Sequence, residues 1–161
     1  MRTLPSKKQS GVVLVISLVM LLLLTLIGLT GMQTTTLEEK MAGNSKDRNI
    51  AFQAAESTLL EAEKFILANS TTSSTYSGSA GLLDTGDSEP DFLNSATWAA
   101  TNSASTTTGF GNNFGLPADP RYIIKKISQV GNKSTFRITA RAVGRQAGSQ
   151  VILQEIYQRT N

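Results

Sequence analysis

One uninterrupted apolar run and two shorter periodic patterns organise this chain. No charged residue occurs from Gln9 through Thr36, and the stretch Val12 to Met32 within it is dominated by Val, Leu and Ile. At about 1.5 Å rise per residue, a helix over this run spans the ~30 Å hydrocarbon layer of a bilayer. Apolar side chains near its middle each favour insertion by about 0.3–0.6 kcal/mol. Ser17 and Thr25 do not block a spanning helix, because each hydroxyl can return to a carbonyl one turn back.

Further along, Phe52, Ala55, Leu59, Ala62 and Ile66 recur at three-four spacing. That spacing predicts a second helical stretch with one face packed on a sheet. Glu56, Glu61, Glu63 and Lys64 fall largely off the stripe and are expected in solvent or facing other subunits. Asn69 and the Ser/Thr run after it supply a stop. Gly43, Asn44 and Ser45 leave open whether the two helical stretches are continuous. Residues 69–81 and 94–115 are rich in Ser, Thr, Asn and Gly and are expected as loops, pinned by Leu82, Leu83, Phe92, Leu93 and Trp98.

The pattern then changes to period two. Arg121 to Gln129, Thr135 to Val143 and Val151 to Gln158 are short β-branched runs, with Gly131-Asn132 and Gly144 to Gly148 as turns. Phe136, Ile138, Ala140 and Ala142 alternate with Arg137, Thr139 and Arg141, giving one apolar and one solvated face. The expected fold class is α+β: a membrane-spanning helical stretch, then a second helical stretch packed on a small antiparallel sheet of about three to four strands.

Composition narrows the chemistry. The 161 residues include no His and no Cys, which removes the commonest general base, the soft nucleophile and the usual zinc ligands. No catalytic residue, metal site or cofactor is therefore expected. The net charge of +3 is scattered, without a Lys/Arg block interleaved with aromatics, so no nucleic acid is expected as a partner. Lys125, Lys126, Arg137, Arg141 and Arg145 could form a basic patch serving solubility or partner steering. Asp84, Asp87, Glu89 and Asp91 have oxygen ligands for calcium, but their spacing is not that of an EF-hand, and a solvated turn ending at Pro90 is the better account.

Arg2, Lys7 and Lys8 precede the apolar run, whereas Glu38 and Glu39 are the first charges after it. The positive flank is expected to stay cytoplasmic, placing everything from about residue 33 onward on the far side of the membrane, which in a Gram-negative cell is the periplasm. A cleaved secretory signal would have a shorter apolar region and a small-x-small site. A plain uncut signal anchor remains the alternative.

The segment Lys7-Lys8-Gln9-Ser10-Gly11 followed by Val12-Val13-Leu14-Val15-Ile16 resembles a type IV prepilin leader. Leu21 to Gly28, Thr35 to Asn44 and Ala51 to Glu56 are similar to the PilX family of minor pilins, and the resemblance covers about residues 7–67. It alone implies that the two helical stretches form one long N-terminal helix, membrane-spanning in its first half, in a type IV pilin-like fold. It also implies a division into a leader peptide (1–11), a transmembrane and fibre-core helix (12–33), the periplasmic half of that helix (34–68), a connecting region (69–120) and the antiparallel sheet (121–161). It implies cleavage by a prepilin peptidase after Gly11, and Val12 as the methylated new N-terminus. Implied partners are other minor pilins and the major pilin through the N-terminal helix, a tip adhesin, the peptidase and the inner membrane.

The family plan has a Glu as the fifth residue after the cut, thought to neutralise a neighbour's terminal amine. Here that position is Ile16. A subunit without that carboxylate is expected at or near the pilus tip, priming assembly, because an unpaired buried charge costs several kcal/mol and only the tip subunit has no neighbour above. Gln33 stands where major pilins often kink at a Pro, so Gly28, Gly31 and Gly43 are the expected soft points, with close helix packing in the membrane the equal alternative for Gly28 and Gly31. Two rivals remain: a type II secretion pseudopilin, and a non-assembling single-pass periplasmic binding module that would keep an uncut N-terminus.

Overall fold

The computed structural model describes residues 11–69, 71, 74–99, 101–105, 114–146 and 148–160. The expected leader (1–11) and its flanking Arg2, Lys7 and Lys8 lie outside the described residues, Gly11 excepted. The chain divides into two units, residues 1–43 and 44–161.

One helix, α1, runs over Val12–Ala68. Gly43, Asn44 and Ser45 therefore do not interrupt it. Three long strands follow: β3 (Arg121–Val130), β4 (Lys133–Val143) and β5 (Gln150–Thr160). They form an antiparallel meander in the order β3-β4-β5, with two short strands, β1 (Leu82–Leu83) and β2 (Ala104–Ser105), on the far edge of β3. β1 pairs parallel to β3 and β2 antiparallel. The arrangement is α+β and mostly antiparallel, as the alternation predicts. Its turn at Gly131 has φ 56°, a conformation that costs glycine nothing.

In the second unit, one face of the sheet meets α1. Leu59, Ala62 and Ile66 pack with Tyr122, Ile124, Phe136, Ile138 and Ala140, and the Tyr76 ring lies against Phe136 at 5.2 Å. A second cluster joins Ala54 and Ala55 to Leu116 and Ala142. Small residues dominate the helix side: Ala51, Ala54, Ala55 and Ala62 are all fully buried.

Phe52 departs from the predicted stripe, being 42% exposed. At 100° per residue, Phe52 sits about 60° to one side of Ala55, beyond Leu59 at about 40°, while the buried Thr58 and Ala54 lie on the other side. The stripe is centred one alanine away from where the large side chains suggest. Alanine carries a weak periodicity signal, yet only alanine lets helix and sheet backbones approach closely.

The opposite face of the sheet is partly covered by the segment after β1. A 3₁₀ turn at Ser95–Trp98 is capped by the Asn94 side chain, which accepts from the Ala96 amide at 3.0 Å. The Trp98 Nε1–H donates to the Phe92 carbonyl, and the two rings pack at 6.1 Å. From this cover Glu89 reaches Arg137 of β4 in an ion pair at 2.6 Å. The expected loop over 94–115 thus contains a helical turn and strand β2, both too short to show periodicity.

Candidate functional site: an uncovered apolar helix and a clamped head

The first unit is a helix with no covering. From Val12 to Met32 the large apolar side chains are between 49% and 72% exposed. Each internal hydroxyl is spent within the helix: Ser17 donates to the Leu14 carbonyl at 2.9 Å and Thr25 to Leu22 at 2.8 Å. Thr30, Thr34, Thr35 and Thr36 likewise donate to carbonyls three or four residues back. This surface therefore offers a partner hydrocarbon with few free polar groups, which suits lipid or another apolar helix and not water. Among the described residues α1 is the one helix long and apolar enough to cross a membrane.

Gly11 stands at the start of α1, its carbonyl accepting from the Val15 amide, and Val12 is the first helical residue. Ile16 is 53% exposed on this apolar surface. A side chain at Gly28, Gly31 or Gly43 would touch nothing nearby. Of the stripe residues farther on, Ala55, Leu59, Ala62 and Ile66 are buried in the head, and Phe52 is not.

The second unit is held by polar contacts that sequence reasoning missed. Asp47 is buried on α1, and its two carboxylate oxygens accept the backbone N–H groups of Arg145 at 2.7 Å and Gln146 at 3.2 Å. A hydrogen bond from the Ser149 side chain is the main reason its pKa is lowered, with burial opposing and the two amides and the Arg145 charge assisting. The β4–β5 turn is thereby fastened to the helix. A Cβ on Gly144 would lie 2.6 Å from an Asp47 oxygen, so the close approach requires glycine there. At the other end of β5, the Arg159 guanidinium donates to the carbonyls of Ile66 and Asn69, satisfying groups that a helix C-terminus leaves open.

Between these clamps, Glu155 of β5 faces Glu63 of α1. Burial first, and the neighbouring Glu63 carboxylate second, push the Glu155 pKa up to about 7. Its Oε1 is enclosed and makes no hydrogen bond. Only the linear separation of these contacts hid them. Asp47 and Arg145 are 98 residues apart, and no local pattern joins them.

The five basic residues do not form one patch. Lys126 is on the helix side of the sheet, buried, with its Nζ donating to the Thr71 carbonyl at 2.8 Å and to Gln129 Oε1 at 2.6 Å. Strand alternation puts Lys125, Arg137 and Arg141 on the other side. The acidic segment is tied internally. Asp87 accepts from the Asp84 amide, Asp91 from the Leu93 amide, and Glu89 holds Arg137. Among the described residues no three His, Cys, Asp or Glu side chains converge as a metal cage would need.

A long N-terminal helix, uncovered and apolar at its start and packed by its later turns on an antiparallel sheet, defines a subunit with the type IV pilin-like plan. The family model described as PilX N-terminal matches residues 10–59, and that of the type IV pilus assembly protein PilX, C-terminal part, matches residues 67–159. The chain belongs to the PilX family. It is a type IV pilus assembly protein, in a family of pilus structural or assembly proteins, and membership implies interaction with other pilus components. No curated protein and no solved structure gives a significant match to the chain.

Proposed function

We propose that this protein is a minor pilin that helps prime assembly of the type IV pilus, at or near its tip, together with other minor pilins and an adhesin. Before assembly it is a single-pass inner-membrane protein with its head in the periplasm. A prepilin peptidase removes residues 1–11, and Val12 becomes the methylated N-terminus. The first part of α1 then exchanges lipid for the helices of other subunits, an exchange between two apolar surroundings that costs little solvation energy.

The observation that carries this proposal is the uncovered apolar stretch Val12–Met32, with all its hydroxyls returned to the helix, in a chain of the PilX family. The tip position is supported by Ile16, which stands where the pilin plan has a carboxylate. Two measurements test it. Protein recovered from sheared fibres should begin at Val12 and carry an N-terminal methyl group; an uncut chain found only in membranes overturns the proposal. Ile16→Glu should raise incorporation along the shaft, and unchanged incorporation removes the support for the tip.

A further inference from the structure

The two edges of the sheet differ. On the β3 side, the short strands β1 and β2 take up part of the edge. On the β5 side no described residue pairs, and β5 is 11 residues long. Its register with β4 fixes which backbone groups point outward. The Gly144 amide donates to the Ser149 carbonyl, so in the antiparallel alternation the odd-numbered residues of β5 bond to β4. The N–H and C=O groups of Ile152, Gln154, Ile156 and Gln158 therefore face away from the sheet.

An open edge of this length is a template for another strand, and folded proteins ordinarily blunt it with proline, lysine, a bulge or a cover. Among the described residues β5 has none of the four. Gln150 to Thr160 holds no Pro and no Lys. Its pairing with β4 runs without a register shift, whereas β3–β4 shifts between Lys126 and Ser128. Its two charges, Glu155 and Arg159, share the α1 side with Leu153 and Tyr157, which pack on the core. The other side carries neutral residues, among them Ile156, which is 66% exposed.

Charge selects the occupant. On the α1 side Glu155 faces Glu63, and no cation among the described residues comes within ion-pair distance of either. A second copy of the chain does not supply one through its own β5, because Arg159 is committed to the carbonyls of Ile66 and Asn69. We propose that the outer edge of β5 accepts an extended segment of another protein as an added strand, with a Lys or Arg of that segment opposite Glu155 and apolar β-branched residues opposite Gln154 and Ile156. Main-chain hydrogen bonds supply the affinity of such an addition, and alternate side chains its selectivity. The site lies in the second unit, and its test is independent of leader cleavage and of the tip position proposed above.

The test uses the full-length protein in detergent micelles and a fluorescein-labelled, amidated peptide, Thr-Thr-Val-Lys-Val-Thr-Thr, followed by fluorescence anisotropy. Binding should saturate, and amide hydrogen exchange at Ile152, Gln154, Ile156 and Gln158 should slow at saturation. Replacing the peptide Lys by Glu, or N-methylating both Val residues, should each weaken binding about tenfold. Ile156→Pro removes an outward N–H and no bond to β4, an edge position that tolerates Pro, so it should abolish binding with the thermal melt unaltered. The N-methylated peptide tests the same bonds from the partner's side whatever the stability of that variant. Glu155→Gln, which keeps the edge, should reduce the preference for Lys over Glu. Binding that does not saturate, equal binding of the Glu or N-methylated peptide, undiminished binding to folded Ile156→Pro, or an undiminished Lys preference in Glu155→Gln each overturns the proposal. So does protection of these amides without peptide that is lost on dilution, which places a second copy on the edge.

Discussion

The two parts of α1 share a backbone conformation and little else. From Val12 to Met32 the apolar side chains are large, surround the helix on every side and are all exposed; after Asn44 the buried positions lie along one stripe, and four of the eight are alanines. A uniformly apolar helix surface has no preferred direction of contact, which suits lipid and then a ring of other helices. A narrow small-residue stripe fixes one direction, that of the sheet. The first part thus has the surface that the proposed exchange of lipid for other helices requires, and the second has one partner within the same chain.

This contrast is broken most directly by the same kind of truncation in each part. Ile66 is fully buried among Leu59, Ala62 and Phe136. Ile66→Ala should destabilise the head by about 2–5 kcal/mol, through lost burial and a residual cavity. Leu22→Ala, at a side chain 55% exposed, should leave the head unchanged. Urea unfolding of each variant in micelles, followed by Trp98 fluorescence, measures both. A head destabilised equally by the two substitutions would erase the distinction.

Much of this contrast is legible in the residues. An apolar run of membrane length, a three-four stripe and three alternating segments predict the α+β fold, because each element is long enough to repeat its own period several times. What is not legible is pairing across distance. The parallel contact of Leu82 with Ile124 and the antiparallel strand Ala104–Ser105 are too short to have a period. Phe52 misleads because a large ring signals a core more loudly than Ala54 or Ala51 does. Arg121 and Arg141 become neighbours through the register of the β3–β4 hairpin and not through sequence.

The partnership within the chain is sharpened at Asp47, near the start of the second unit. Gly144→Ala would drive a methyl into the Asp47 carboxylate, and such overpacking costs about 1–3 kcal/mol. The β4–β5 turn should loosen while the sheet stays paired. Amide hydrogen exchange checks this: faster exchange at Arg145 and Gln146, which donate to Asp47, with β3–β4 amides unchanged. Because the Asp47 pKa is depressed, the stability it contributes is present above its unfolded value of about 3.9 and fades as pH falls through the lower folded value.

The smallest effect expected lies between the two clamps, where acid and base should act in opposite directions on the same strand. Glu155 is raised to about 7 from the ordinary 4.5, burial being the larger cause and Glu63 the smaller. The folded protein then binds more protons than the unfolded chain between these values, so stability falls as pH rises from 4.5 to 7 and the loss is complete above. The charged groups around Glu155 do not rescue the ionised form. Arg159, the next charge on the same face of β5, is committed to the helix carbonyls of Ile66 and Asn69, and the register partner on β4 is the apolar Ile138. Glu155→Gln should therefore raise stability at pH 8 but not at pH 4, by less than about 1 kcal/mol, because solvent screens a carboxyl that is only partly enclosed. Thermal melts of both proteins at the two pH values decide it. An equal gain at pH 4 would mean that packing of the amide, and not removal of the charge, is responsible.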